Sequence, residues 1–355
     1  MYMHMADALL APAVAATMYA ASAVTVGASV KTLKKDETAA KLPTMAVTSA
    51  LVFAGQMINY TIPGTGSSGH LCGGMLLSAL LGPQAGFLSM VVILTIQCLF
   101  FADGGLLALG ANCWNMAFYG CFVGYYLLWR PIMRSKLFGA SRGAARAKIT
   151  LASILGCIIT LQLGAFSVVL ETSVSGITEL PFAAFVGIMQ PIHLAIGLVE
   201  GLITAAVLMF VYEARPELLM DVNAGDAAVQ GRCSLRTTLA VLTAVVVVVG
   251  GGLSLVASSN PDGLEWSMFG NAEAGYSANM GLDEESYGIS SGAADALGAV
   301  QEKTAFLPDY AFADSDSTAG TSVSGLVGSA MVAGAAILVC VAGGFFRKKK
   351  IAEKA

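Results

Sequence analysis

Charge is scarce in this chain of 355 residues: 12% are Asp, Glu, Lys or Arg, while 56% are hydrophobic. Soluble domains carry roughly 25% charged residues, so this shortage, with a mean hydropathy of +0.73, excludes a soluble enzyme and leaves an integral membrane protein. No Lys or Arg precedes Lys31, so the basic start of a secretory signal peptide is missing and the first apolar stretch reads as a retained helix. The seven cysteines stand singly, without a C-x-x-C pair; that indicates neither a disulfide framework nor a thiolate metal site and leaves them as packing residues. The pattern G-x-x-x-x-G-K-[ST] is absent, so ATP is not bound here by a phosphate loop.

What is present is a series of nine apolar segments: Ala8 to Val30, Thr44 to Tyr60, Leu71 to Leu81, Gln84 to Phe101, Leu106 to Trp129, Ile149 to Leu170, Ala183 to Val211, Thr237 to Val256 and Val323 to Phe346. Most have the ~20 residues needed to cross the hydrocarbon core, and Leu71 to Leu81 is markedly short. The expected fold class is an all-α polytopic bundle of about nine transmembrane helices. Orientation follows from Lys and Arg. With the N-terminus outside, 18 of the 19 basic residues fall in inner loops and only Lys303 lies outside. That parity requires the short third segment to cross, with Gly82-Pro83 as its inner turn.

Two histidines fall on the outer side. If the mature chain starts at Met3, its amine, the His4 amide nitrogen and His4 Nδ1 close five- and six-membered chelate rings around one cation. Three in-plane nitrogens with a fourth position open suit Ni(II) or Cu(II) rather than Mg or Ca. His70, ending the glycine-rich connection from Asn59, stands on the same side and can fill the fourth position. The competing reading is a chance histidine in a loose terminus. Gly64 to Gly69 matches G-x-G-x-x-G, but it follows a membrane helix and Pro63 rather than a strand, so it reads as a flexible loop and not a dinucleotide site.

Deeper polar residues mark the bundle interior. Asp103 sits in the outer turn Ala102 to Gly105, and Asn112 and Asn115 follow one helical turn apart, as helix glue or as shapers of the metal loop. Gln190, His193, Gly197, Glu200 and Thr204 form one stripe. A mid-membrane carboxylate costs about 2.5–3.5 kcal/mol, so Glu200 with His193 is either a proton or ion relay or a buried structural network. The stretch 257–322 holds 11 acidic residues against Lys303 and reads as a largely disordered acidic outer loop. The chain ends in a basic stop-transfer tail, 347–355.

Met3 to Leu9, Pro63 to His70, Ala102 to Leu106, Leu109 to Asn112 and His193 to Thr204, in this order, resemble the CbiM/NikM family over about 3–219. These are the substrate-binding membrane components of energy-coupling-factor (ECF) transporters for cobalt and nickel. After a linker at 220–236, residues 237–346 resemble the two-helix CbiN/NikN component, with its motif at Pro261 to Glu265. The resemblance implies a seven-helix bundle plus a two-helix hairpin in a prokaryotic plasma membrane. It further implies one Co(II) or Ni(II) as substrate, with Met3, His4 and His70 as ligands. The partners it implies are a transmembrane coupling protein and cytoplasmic ATPases, with no organic cofactor and no nucleic acid. Residues 1–2 then form an extension ahead of the family's start. Two other readings remain: a proton-coupled secondary transporter using His193 and Glu200, and a membrane metal sensor.

Overall fold

A lipid-exposed backbone must satisfy its own hydrogen bonds, so apolar runs of this length coil. The computed structural model describes residues 4–33, 35–139, 141–222, 231–276, 280, 282, 287–312 and 317–352. Its helices are α1 (Pro12–Thr32), α2 (Lys35–Gln56), α3 (Gly74–Leu81) and α4 (Pro83–Phe101). Next comes α5, whose first turn Leu109–Asn112 runs into a wider π-helical stretch, Cys113–Trp129, and a last turn Arg130–Arg134. Then follow α6 (Arg142–Val174), α7 (Phe182–Ala214), α8 (Leu235–Gly251), α9 (Gly263–Phe269), α10 (Gly292–Thr304) and α11 (Ala319–Ala352). Six helical spans among the described residues are long and apolar enough to cross a bilayer: those of α1, α4, α6, α7, α8 extended by its following turn to Val256, and α11. Large apolar side chains such as Val24, Leu127 and Val174 lie exposed on the outside of the bundle. On a soluble monomer they would be a liability; on a multi-pass membrane protein they face lipid.

The third apolar segment is the exception. α3 has eight residues, a rise of about 12 Å, which is less than half of the ~30 Å hydrocarbon core. The rest of that path is irregular chain buried inside the bundle, preceded by a hairpin that the sequence reading treated as a flexible loop. Strands β1 (Tyr60–Ile62) and β2 (Ser67–Gly69) pair antiparallel, Tyr60 opposite Gly69. Irregular backbone at such depth is tolerated only where protein satisfies it. Glu200 does so from α7: its carboxylate accepts from the Cys72 N–H at 3.1 Å and the Gly73 N–H at 2.9 Å. Gln56 Nε2 donates to the Cys72 carbonyl at 2.8 Å and is itself steadied by Gln97.

Helices α6 and α7 form an antiparallel hairpin packed through glycine. The Gly197-x-x-x-Gly201 pair lets the backbones touch: a Cβ on Gly201 would lie 2.6 Å from Ile154 Cα, and one on Gly197 2.9 Å from Ile158 Cα. At one end of this hairpin Glu213 gathers Arg142 and Arg146, while Asp221 nearby takes Arg134 and the Tyr125 hydroxyl. Gly82, the turn between α3 and α4, reaches this same basic end, because Met220 N–H donates to Ala79 O at 2.8 Å. The opposite end carries the N-terminal segment and the acidic stretch.

In its described residues that acidic stretch is not the loose loop expected from its charge. Asp262 caps α9 through the Leu264 and Glu265 N–H groups, at 2.9 and 2.8 Å. Leu264, Met268, Leu307 and Tyr310 are buried. A few well-placed apolar side chains pay for ordering that an average over the segment conceals. Beneath it α8 and α11 cross at Gly250 and Gly325, and α11 lies on Phe53 and Phe101 through Gly328.

The glycine contacts make a paired prediction within one helix. Gly201→Ala forces Cβ into the Ile154 backbone and lowers stability by about 1–3 kcal/mol, seen as a lower thermal midpoint in detergent. Gly187→Ala, with nothing within 4 Å of its added Cβ, leaves the midpoint unchanged or raises it.

Candidate metal centre

Chain termini usually fray, yet this one is pinned from His4 onward. Met5 N–H donates to Asn112 Oδ1 and Asn112 Nδ2 donates to Met5 O, both at 3.1 Å, so one side-chain amide grips the main chain from both sides. Gly105 N–H also donates to Met5 O at 3.1 Å. Asp7 takes the Ala108 N–H at 3.0 Å, and Met5, Leu9 and Leu10 are buried. The turn that meets this segment must be bare: a Cβ on Gly104 would lie 2.7 Å from His4 Cβ, and one on Gly105 would overlap the Asp7 carboxylate. Met3, with Met1 and Tyr2, lies outside the described residues.

His4 is 4% exposed and packs edge-on against His70, ring centroids 5.7 Å apart and planes at 88°. Two imidazoles sharing one ion at about 2.0 Å per nitrogen have centroids roughly 4.5–6 Å apart, so this spacing can accommodate a shared ion. His4 Nδ1 stands 3.2 Å from Asp103 Oδ1, while Nε2 is buried without a hydrogen-bond partner. The atom the expected amine–amide chelate requires thus faces a carboxylate. Asp103 is 2% exposed and accepts the Tyr310 hydroxyl at 2.6 Å. Burial alone would depress the His4 pKa, but the Asp103 carboxylate reverses that and leaves it raised. Burial works to raise Asp103, and the His4 charge, aided by hydrogen bonds from His4 and Tyr310, leaves it lowered.

His70 ends the hairpin, with Nδ1 3.3 Å from Leu71 O and Nε2 4.0 Å from Asp262 Oδ2. A cavity of about 110 Å³ is lined by His4, His70, Asn112, Asn115, His193 and Asp262, among others. All three histidines of the chain therefore meet at one space. Asn112 and Asn115 both line it, but their hydrogen bonds diverge: Asn112 serves Met5, and Asn115 donates to Glu171 at 2.8 Å. The stripe on α7 divides as well. His193 Nδ1 lies 2.8 Å from Met189 O, and Glu200 accepts from the Cys72 and Gly73 N–H groups, so the two have separate hydrogen-bond partners. Asp262 and Tyr310 were not singled out as site residues from sequence. Asp262 had a legible signal, the D-x-x-E capping pattern of Asp262 to Glu265; Tyr310 had none. Among the described residues no three His, Cys, Asp or Glu side chains cluster closely enough to hold a metal by themselves.

Comparison with known proteins gives this geometry a context. The family model described as cobalt uptake substrate-specific transmembrane region, CbiM, matches residues 4–218, and the PDGLE domain model matches 236–343. The chain belongs to the CbiM family. A protein of Archaeoglobus fulgidus that carries the NikMN name is 36% identical over 331 residues, 93% of this chain and 95% of its own. The fused nickel transport protein NikMN of Rhodobacter capsulatus is 30% identical over 354 residues, again 93% of this chain and 95% of its own. The cobalt transport protein CbiM of Sorangium cellulosum is 33% identical over half of this chain and 76% of its own. A crystal structure of a truncated transition metal transporter is 30% identical, covering 59% of this chain and 98% of that one, with a TM-score of 0.49. The cavity is walled by both matched regions, with His4, His70 and Asn112 from the CbiM part and Asp262 from the PDGLE domain.

The His4–Asp103 pair sets a pH dependence of stability. A raised His4 pKa contributes stability that is full below the unfolded value and lost as pH rises through the folded one; the lowered Asp103 pKa contributes above its unfolded value and is lost as pH falls through its folded one. Between those limits Asp103→Asn costs most. The loss of thermal midpoint should be larger at about pH 6 than at about pH 9, on either side of the ordinary imidazole range; an equal loss at both would show that the pair does not form.

Proposed function

We propose that this chain is the substrate-binding membrane component of an ATP-driven ECF-type uptake system for Co(II) or Ni(II). The observation that carries the reading is the meeting of His4 and His70, one from the N-terminal segment and one from an inserted hairpin, at a buried cavity with an unpartnered imidazole nitrogen. Nitrogen donors of this kind suit the later first-row dications. Asp103 faces His4 Nδ1, the one ring nitrogen that can join the Met3 amine and the His4 amide nitrogen on a single ion, so His4 binds through Nδ1 and the carboxylate gives way when metal loads. Two side chains do not complete a coordination sphere; backbone nitrogens of the N-terminal segment and the Met3 amine supply the remainder.

The basic end of the bundle, with Arg134, Arg142 and Arg146, faces the cytoplasm, which sets the cavity toward the outside. Energy for release inward comes from a separate coupling protein and ATPases. Residues 3–219 form the metal-binding unit, 220–236 the inner linker and 237–346 the accessory hairpin. The accessory part holds the hairpin that carries His70: Ser68 N–H donates to Pro261 O at 2.8 Å, Asn271 Nδ2 to Gly66 O at 2.8 Å, and Ser258 N–H to Asn59 O at 2.7 Å. Movement of one therefore moves the other, and loading depends on both.

The test is metal titration of the purified protein in detergent, followed by radiolabelled uptake in proteoliposomes with the coupling protein and ATPases. His4→Ala and His70→Ala should each weaken binding by more than the 10- to about 100-fold typical of an outer-sphere partner and stop uptake; wild-type binding by either would refute the site. Nickel bound as a diamagnetic square plane would report the Nδ1–amide chelate. Intact mass of active protein decides the Met3 start.

A further inference from the structure

Beside the space where the histidines meet lies a second and larger cavity, of about 560 Å³. The N-terminal segment, the Gly104-Gly105 turn, α9 and α10 enclose it. Helix α10 gives it one face, on which Asp295, Gly298, Ala299 and Glu302 recur at helical spacing. Seven residues of helix set the two carboxylates about 10 Å apart along the axis, with only small residues between them. Asp7 and Glu265 bring further carboxylates from the N-terminal segment and α9, and no Lys or Arg is among the described residues of the lining.

The cavity is a fixed feature of the joint between the two matched regions. Gln301 on α10 donates from Nε2 to Cys98 O at 2.9 Å and to Gly104 O at 2.7 Å. Ile289 N–H, just ahead of α10, donates to Ala8 O at 2.8 Å. Carboxylates on a helix face are common on protein surfaces, and what distinguishes these is the wall they share with the histidines. His4 and Leu264 line both cavities and are the residues common to the two. His4 is 4% exposed and Leu264 9%, and His4 Nε2 is buried without a hydrogen-bond partner. The acidic space therefore ends on a buried, unsatisfied imidazole, with the histidine-lined space directly behind it.

We propose that this acidic cavity is an entry vestibule. A hydrated divalent cation waits there, held through its water shell by Asp7, Glu265, Asp295 and Glu302, and then passes between His4 and Leu264. An ion must exchange water for nitrogen before it is bound, and that exchange is slower than diffusion. The rate of capture is then the occupancy of the waiting position multiplied by the rate of water loss. A cleft lined by one sign of charge raises that occupancy. Oxygen atoms that touch only an intact water shell do not distinguish one later first-row dication from another, so selection stays with the nitrogen donors. The proposal rests on the metal reading above, and the experiment keeps the two separate.

Full-length protein in detergent is mixed rapidly with Co(II), and capture is followed through the electronic absorption of the bound ion. Asp295→Asn combined with Glu302→Gln should slow capture about tenfold at low salt. At about 1 M salt, where screening acts within ~3 Å, the rate and the affinity should both return to within about twofold of wild type. Glu273→Gln removes a carboxylate outside this cavity and should slow capture by less than about twofold. Gly298→Phe tests passage rather than charge. A Cβ at Gly298 meets nothing within 4 Å, so the ring fills the cavity without strain and should slow capture at both salt concentrations. Its thermal midpoint should be unchanged or higher. A charge effect no larger than that of Glu273→Gln, one that persists at 1 M salt, or unslowed capture by Gly298→Phe overturns the vestibule. Wild-type capture by His4→Ala overturns the metal reading itself, whatever the vestibule variants do.

Discussion

His4 keeps its place in the bundle only if the main chain beside it is fixed, and the Asn112 side-chain amide fixes it. Carbonyl and amino groups of one residue answer the N–H and C=O of Met5, in the manner of a neighbouring strand. The burial of Met5, Leu9 and Leu10 follows from that grip as much as it reinforces it, because an apolar segment cannot be drawn into a bundle with its backbone unpaired. The glycines at 104 and 105 are the steric counterpart: the Asp103 turn approaches the segment so closely that no side chain fits.

The same rule governs the other half of the site. His70 sits at the end of a hairpin followed by chain that is neither helix nor strand, set largely inside the bundle. Such a path is stable only because a carboxylate on α7 and a glutamine on α2 take its N–H and C=O groups. Glu200 thereby has a structural part in that path. Its cost of burial is offset by two main-chain donors, and α3 begins where that support ends. An inserted loop of this kind can be both buried and distinct from the helices around it, which a site built by a loop and a terminus requires.

The helical architecture was legible in the sequence because lipid imposes a simple rule: length and apolarity name the segments, and lysine and arginine mark one end. His4, His70, Asp103 and Asn112 were legible too, through scarcity of polar residues and through resemblance, and the structure gathers them. What the sequence concealed was direction. Nothing in the order of residues says that His4 turns Nδ1 to Asp103, that Asn115 answers Glu171 rather than the N-terminal segment, or that His193 and Glu200, on one stripe, serve different partners. The acidic stretch misled for a related reason. Average charge argues for disorder, yet a cap at Asp262 and a handful of residues such as Leu264, Met268 and Tyr310 fold its described parts onto the bundle.

Those folded parts meet the site at two places, and the two are alike. Asp262 stands behind His70, and Tyr310 stands behind Asp103, which stands behind His4. Each imidazole thus lies near a carboxylate, Asp103 at 3.2 Å from His4 and Asp262 at 4.0 Å from His70, and the accessory region either provides that carboxylate or hydrogen-bonds it. Fusion into one chain suits such an arrangement, since geometry that depends on tenths of an ångström is easier to keep when both parts are tethered and always present. A separate subunit contributing the same contacts would have to pay the entropy of association before it could orient anything. Asp103 and Asp262 thus lie with the histidines at one end of the bundle, and Arg134, Arg142 and Arg146 lie with their carboxylate partners at the other.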